Sequence, residues 1–299
     1  MTIAAQKIIS NAMTIDVEDY FQVSAFANSV DYADWDTYSS RVVENTHRIL
    51  KAMSGAERVG TFFVLGWVAE REPQLVRDIL SEGHEVACHG YSHQLIYNQT
   101  PEVFYEETRR AKEILEDIIQ KPVEGYRAAS YSITKESMWA MDILGELGFT
   151  YDSSIFPVYH DRYGVPDAPK HPYQHTLSNG SSIVEFPIST KKLLGYQLPV
   201  AGGGYFRVYP YPFSRSMLGS INKKENKPFV FYLHPWEVDP EQPRIEAGLL
   251  SRTRHYMNLS RCEARFKALL RDFEFTTMAN VIAGLDFSTV GEKSLHESK

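Results

Sequence analysis

Short apolar runs in this chain stop, again and again, at a residue able to do chemistry. Residues 12–17 run into Glu18 and Asp19 and carry Asp16 near their end; 84–88 stop at His89, 123–126 at Arg127, 149–151 at Asp152 and 229–233 at His234. Runs of this length and residue type read as buried strands. The stretches between them have helical periodicity. Residues 41–53 place Val42, Val43, Thr46, Ile49 and Leu50 on one face; Pro73 opens a helix that Gly83 closes; Thr100 can cap and Pro101 can start a third, which Pro122 ends. Further helices are predicted over 135–147 and 262–270, and strands over 60–65, 183–186 and 273–276. Alternating strand and helix specify parallel βα units, whose carboxyl ends gather on one face of the sheet. Scattered polar residues then become one site, which is the pattern of an enzyme.

The 299 residues, 43% of them hydrophobic, supply core enough for one large α/β barrel. No internal repeat or composition break marks a second domain, so the expected organisation is a tail over 1–11, one catalytic domain over 12–286 and a polar tail over 287–299. The net charge of −7 argues against a nucleic-acid partner, which would need a basic surface. Residues 1–10 lack the apolar core and cleavage pattern of a secretory signal, and no run is long enough to span a bilayer. With Cys88 and Cys262 as the only cysteines, a cytoplasmic location is expected, with room for peripheral association at the inner membrane face. Oligomeric state is not legible.

His89 and His93 stand four apart, the spacing that puts two imidazoles on one face of a helical turn, as a chelating pair needs. Asp16, Glu18 and Asp19 sit at a strand end, a rigid rim where one acid could ligate a metal while another accepts a proton. Cys88 precedes a candidate ligand, but strand neighbours face opposite ways, so it reads as a core thiol. Asp152, followed by Ser153 and Ser154, fits either a pocket wall that steadies a catalytic partner or the cap of its own turn. Pro157, Pro166, Pro169 and Pro172 mark a long loop. Gly202, Gly203 and Gly204 suggest a flexible hinge before Tyr205, Phe206, Tyr209, Tyr211 and Phe213, which are core packing or a platform for sugar faces. Arg252, Arg254, His255 and Arg261 read as a solvated basic flank or a contact for a glycan-linked diphosphate.

The ordered motifs Thr14-Ile15-Asp16-Val17-Glu18-Asp19, His89-Gly90-Tyr91-Ser92-His93, Tyr126-Arg127-Ala128 and Leu233-His234-Pro235 resemble the polysaccharide deacetylase superfamily, also called the NodB homology domain or carbohydrate esterase family 4. Tyr151-Asp152-Ser153-Ser154 and His234-Pro235-Trp236-Glu237 resemble its branch linked to bacterial exopolysaccharide biosynthesis. The resemblance implies a deformed, TIM-barrel-like (β/α) barrel that removes N-acetyl groups from amino sugars of an exopolysaccharide or its lipid-linked precursor. It implies Asp16 as general base oriented by Arg127, His234 as general acid, and His89 and His93 as ligands of one divalent metal. Zinc suits that donor set, with cobalt, nickel and iron as substitutes. The chain departs from the commoner pair of adjacent aspartates: Val17 separates Asp16 from Glu18, which is favoured as third ligand with Asp19 in reserve. Ala129 stands where the family usually has proline. The backbone N–H near Tyr131 is the implied oxyanion donor. Rival expectations are a metal-free amidohydrolase acting on a cyclic ureide or imide, an O-acetyl esterase using the same residues, and a non-catalytic glycan-binding relative.

Overall fold

The protein is described here by a computed structural model covering residues 8–160 and 163–287. The far ends of the two expected tails, 1–7 and 288–299, therefore lie outside the described residues.

Eleven strands occur in the described chain: β1 (Asn11–Val17), β2 (Thr61–Val64), β3 (Glu85–Cys88), β4 (Gly125–Tyr126), β5 (Tyr151–Asp152), β6 (Tyr173–Thr176), β7 (Ser182–Glu185), β8 (Thr190–Leu193), β9 (Tyr196–Pro199), β10 (Val230–Leu233) and β11 (Phe275–Thr276). Nine form one curled sheet in the order β10-β1-β2-β3-β4-β5-β7-β6, with β11 beside β1. From β10 through β7 every pairing is parallel, and β6 closes the far edge antiparallel to β7. This is a mixed α/β, deformed-barrel architecture.

Strand alternation divides the side chains. Val17, Val64, Cys88 and Tyr126 stand side by side in register and face the helices, where they join the larger core. Asp16, Phe63 and Ala87 form the neighbouring row on the inner face, so Asp16 projects into the barrel while Cys88 is a buried core thiol, its acidity pushed up to about 12 by burial.

Helices appear where periodicity and caps foretell them. Val42–Ser54, Pro73–Ser81 and Pro101–Ile119 match within a residue or two at most, and Thr100 accepts the Val103 N–H as N-cap. The expected helix over 135–147 divides into a 3₁₀ turn at Lys135–Ser137 and a helix at Trp139–Glu146. The middle third holds more structure than its prolines suggest, since it contains β6 and the separate β8–β9 hairpin.

The glycines at 202–204 form no hinge. Gly202 bridges to Tyr232 with φ +139°, and a Cβ there would stand 1.9 Å from the Tyr232 carbonyl oxygen. The glycine lets the chain lie against β10, and the following helix, Gly203–Val208, seats Phe206 edge-on to Phe231 in the core. Gly202→Ala is expected to destabilise the fold by about 2 kcal/mol or more, because it adds both a backbone collision and a disfavoured φ. Thermal unfolding compared with Gly204→Ala, whose added Cβ would meet nothing nearer than 3.9 Å, checks this; equal melting temperatures would refute it.

Candidate functional site

The strand ends converge as the sequence pattern requires. Asp16 Oδ1 accepts from Arg127 Nη1 at 2.6 Å, and Arg127 is fully buried. The same guanidinium donates to Thr14 Oγ1 at 2.8 Å, to the Ser153 carbonyl at 3.1 Å and to Ser153 Oγ at 2.9 Å, and it lies over the Phe63 ring. Thr14 and Ser153 are in turn anchored on the Phe231 and Phe186 carbonyls. A charge this deeply buried is tolerable only when its donors are spent, and here four N–H directions have acceptors. Arg127 thus fixes one oxygen of Asp16 and leaves Oδ2 facing His234 Nε2 at 3.8 Å.

Beside Asp16 stand Glu18, His89 and His93, whose ligand atoms all lie within 4.8 Å of one another. Residues 89–93 form no helical turn, so the reading of His89 and His93 as one helix face is corrected. Positive φ at Gly90 (+73°) and His93 (+54°) folds the loop back instead and brings the rings to 5.3 Å between centroids. His89 Nδ1 lies 2.8 Å from the Arg127 carbonyl, which makes Nδ1 the donor and leaves Nε2 with a free lone pair. Burial pushes His89 down to about 4, so the imidazole is neutral, as a ligand must be.

Glu18 Oε1 accepts from Trp236 Nε1 at 3.0 Å, whereas Oε2, fully buried, lies 2.7 Å from His93 Nε2 with no N–H directed at it. Two lone-pair atoms aimed at a common point in this way fit a shared cation. Burial alone would raise the Glu18 carboxyl, but the protonated His234 at 3.6 Å helps to hold it below the usual carboxylate range.

The other acid of this strand end is occupied elsewhere. Asp19 accepts the Tyr20 N–H at 2.9 Å through Oδ1, and through Oδ2 the Arg41 and Val42 N–H groups at 2.7 and 3.1 Å and the Ser40 hydroxyl at 2.8 Å, capping the helix Val42–Ser54. The geometry therefore brings Glu18 rather than Asp19 to the histidines.

His234 presents Nε2 to Glu18 Oε1 at 3.6 Å and holds Nδ1 2.8 Å from Glu237 Oε1. Burial would lower its basicity, yet Glu18, Glu237 and Asp16 push it up to about 9. Glu237 is fully buried; its second oxygen accepts from Arg207 Nε at 2.6 Å, and Arg207 is tied to the His255 and Met257 carbonyls. Trp236 stacks between His234 and His255. His255 is thus buried, and it leaves the basic flank with which sequence grouped it. Glu237 and Arg207 are positioning residues that the strand-end pattern did not single out. The available signal was a carboxylate three residues after His234, within reach of its backbone and ring.

Two expected site residues lie apart from this constellation. Asp152 is fully buried in the register row of Tyr126, facing the helices rather than the barrel interior, and its carboxylate accepts from Ser154 Oγ at 2.6 Å and Ser154 N at 3.0 Å. Ser154 Oγ accepts from Ala128 N at 2.8 Å, which links Asp152 to the loop after Arg127. The Tyr131 N–H donates to the Ala128 carbonyl at 3.1 Å, and Tyr131 itself has φ +57°.

Fold and site together define a deformed α/β barrel with a histidine and carboxylate cluster at its strand ends, next to a salt-bridged aspartate and a carboxylate-bound histidine. Residues 31–151 match the family described as polysaccharide deacetylase, and residues 153–283 match a family described as a domain of unknown function, DUF3473. A chitooligosaccharide deacetylase of Bradyrhizobium sp. (strain ANU 289) is 27% identical over 99 residues, 33% of this chain and 43% of that protein. The match thus spans less than half of that relative. A solved structure from Mycobacterium smegmatis, provisionally assigned as a polysaccharide deacetylase, aligns over 100% of this chain and 97% of its own with a TM-score of 0.64 at 18% identity. The Puue allantoinase aligns over 94% and 91% with a TM-score of 0.61 at 13% identity. These two likenesses concern the fold. Residues 31–151 of this chain thus resemble the polysaccharide deacetylases in sequence as well as in fold.

Proposed function

We propose that this protein is a metal-dependent N-deacetylase that removes acetyl groups from amino sugars of a bacterial exopolysaccharide or its precursor. The observation that carries the reading is the convergence of Glu18, His89 and His93 beside an Arg127-bound Asp16 and a Glu237-bound His234. Glu18, His89 and His93 would hold the ion, zinc suiting two imidazoles and a carboxylate. When bound, the ion supplies Lewis acidity to the acetamide carbonyl and to the attacking water.

The chain's own groups do the proton work. Arg127 fixes Oδ1 of Asp16 and turns its Oδ2 toward the site, where it takes a proton from water as the oxygen attacks the acetyl carbon. His234, held protonated at Nε2 by its carboxylate neighbours, gives that position's proton to the departing nitrogen as the C–N bond breaks. Acetate and a free amine leave. The Tyr131 N–H would steady the developing oxyanion only by turning from the Ala128 carbonyl to the substrate. Asp152 would act through Ser154 on the loop that carries Arg127 and Ala128. The two free, buried cysteines support a reducing, cytoplasmic compartment.

The test is metal content of the purified protein together with acetate release from an N-acetylglucosamine oligomer, before and after chelation. Near-stoichiometric metal and chelator-sensitive release are expected. Asp16→Asn is expected to keep the metal and lose turnover by about a thousandfold. A protein that takes up no metal on reconstitution would instead favour the metal-free amidohydrolase chemistry.

A further inference from the structure

We propose that the β8–β9 hairpin and the groove at its base form a docking surface for an anionic lipid bilayer, at the end of the barrel opposite the candidate active site. The hairpin is a two-stranded sheet outside the main one, with Leu193 paired to Tyr196 across a two-residue turn of Leu194 and Gly195. Both turn residues have positive φ, +50° and +88°. Such turns are normally made by Asn, Asp or Gly, because a leucine side chain crowds the backbone there. Leu194 nevertheless holds the position with 89% of its surface exposed, flanked by Tyr196 at 75% and Leu193 at 37%. Large apolar side chains at three of the four positions of a projecting tip, one of them in a disfavoured conformation, are poor solvent-facing design and good interfacial anchors.

The charge around the tip identifies its partner. Lys192 and Leu193 line a groove of about 1010 Å³ together with Lys223, Lys224, Arg215 and Arg271. Arg215 is paired with Asp272 at 3.0 Å, but Lys192, Lys223, Lys224 and Arg271 form no ion pair among the described residues. A chain of net charge −7 is repelled as a whole by an anionic surface, so a local concentration of unpaired cations beside an apolar tip is the arrangement that overcomes this. Phospholipid acyl chains would take Leu193, Leu194 and Tyr196, and headgroup phosphates the lysines.

The placement has a consequence for the substrate. The groove includes Ile8 and Ile9 just ahead of β1, and Phe273 and Glu274 just ahead of β11, whereas Asp16 and His234 sit at the carboxyl ends of β1 and β10. The seven residues of β1 separate the two faces by about 20 Å. A bilayer on the groove leaves the candidate site open to the aqueous side, suited to a glycan segment extending from the membrane rather than a sugar held at its surface.

Co-sedimentation of the full chain with phosphatidylcholine vesicles, with and without phosphatidylglycerol, tests the surface independently of any deacetylase activity. Binding is expected only to the anionic vesicles and is expected to weaken as salt rises. The pair Leu194→Asn and Tyr196→Ser should reduce partitioning at least tenfold. Because Asn accepts the turn conformation, these changes should leave thermal stability equal or higher. Lys192→Glu, Lys223→Glu and Lys224→Glu should each weaken binding by about fivefold or more. The proposal is overturned by equal partitioning to both vesicle types, by variants that bind as the parent does, or by a parent dimer that the tip variants dissociate, which would assign the patch to a second copy of the chain.

Discussion

Replacement of Arg127 by Met is expected to lower folding stability by about 3–5 kcal/mol and to reduce acetate release by about a hundredfold or more. The methionine fills much of the volume but donates nothing. Asp16 would be left as a buried carboxylate without its 2.6 Å partner, and the Thr14 hydroxyl, Ser153 hydroxyl and Ser153 carbonyl would each lose a donor. Arg127→Lys should recover little, because one ammonium cannot reach all four acceptors of the planar fork. Urea unfolding followed by tryptophan fluorescence measures the first quantity and acetate assay the second. An unchanged unfolding midpoint would mean that the Arg127 guanidinium contributes no net stability through its four acceptors.

A second large effect is expected at Glu237, which touches no substrate in the proposed mechanism. Its two oxygens divide their work between His234 Nδ1 and Arg207 Nε. A glutamine can keep an oxygen toward only one of them and must turn an amide donor on the other. Glu237→Gln is therefore expected to cut kcat by about 10- to 100-fold with a smaller change in KM. Because Glu237 is among the groups that raise His234, its loss should also move the alkaline limb of the kcat profile to lower pH. The sign follows from the acid role: His234 must be protonated, and without the neighbouring carboxylate it loses its proton sooner. A merely structural Glu237 would lower the melting temperature and leave the pH profile in place.

Much of the frame was legible because it is encoded locally. The runs around Ile15, Phe62, Val86 and Phe231 are continuous apolar strands, and Thr100-Pro101 carries both a cap and a first-turn proline, so these elements needed no tertiary information. The β8–β9 hairpin was not legible, because its turn uses Leu194-Gly195 in place of the Asn-Gly type of signal and its strands have exposed apolar side chains. The short helix Gly203–Val208 was hidden by glycines whose purpose is close approach to Tyr232.

The candidate site divides the same way. Sequence by itself determined that Asp16, Arg127, Asp152 and His234 fall at strand ends, because a parallel sheet must deliver those ends to one side. Only the tertiary structure decided which of them face one another. Asp16 and Asp152 occupy alternate faces of the same sheet, so one meets Arg127 inside the barrel and the other caps Ser154 beneath the helices. Glu18 and Asp19 are adjacent in the chain, but the helix at Val42–Ser54 claims Asp19 for its unpaired N–H groups, and Glu18 alone is left to face His89 and His93. The physical reason is that strand formation depends on neighbours in sequence, whereas the fate of a buried charge depends on which donors the rest of the chain brings within 3 Å of it.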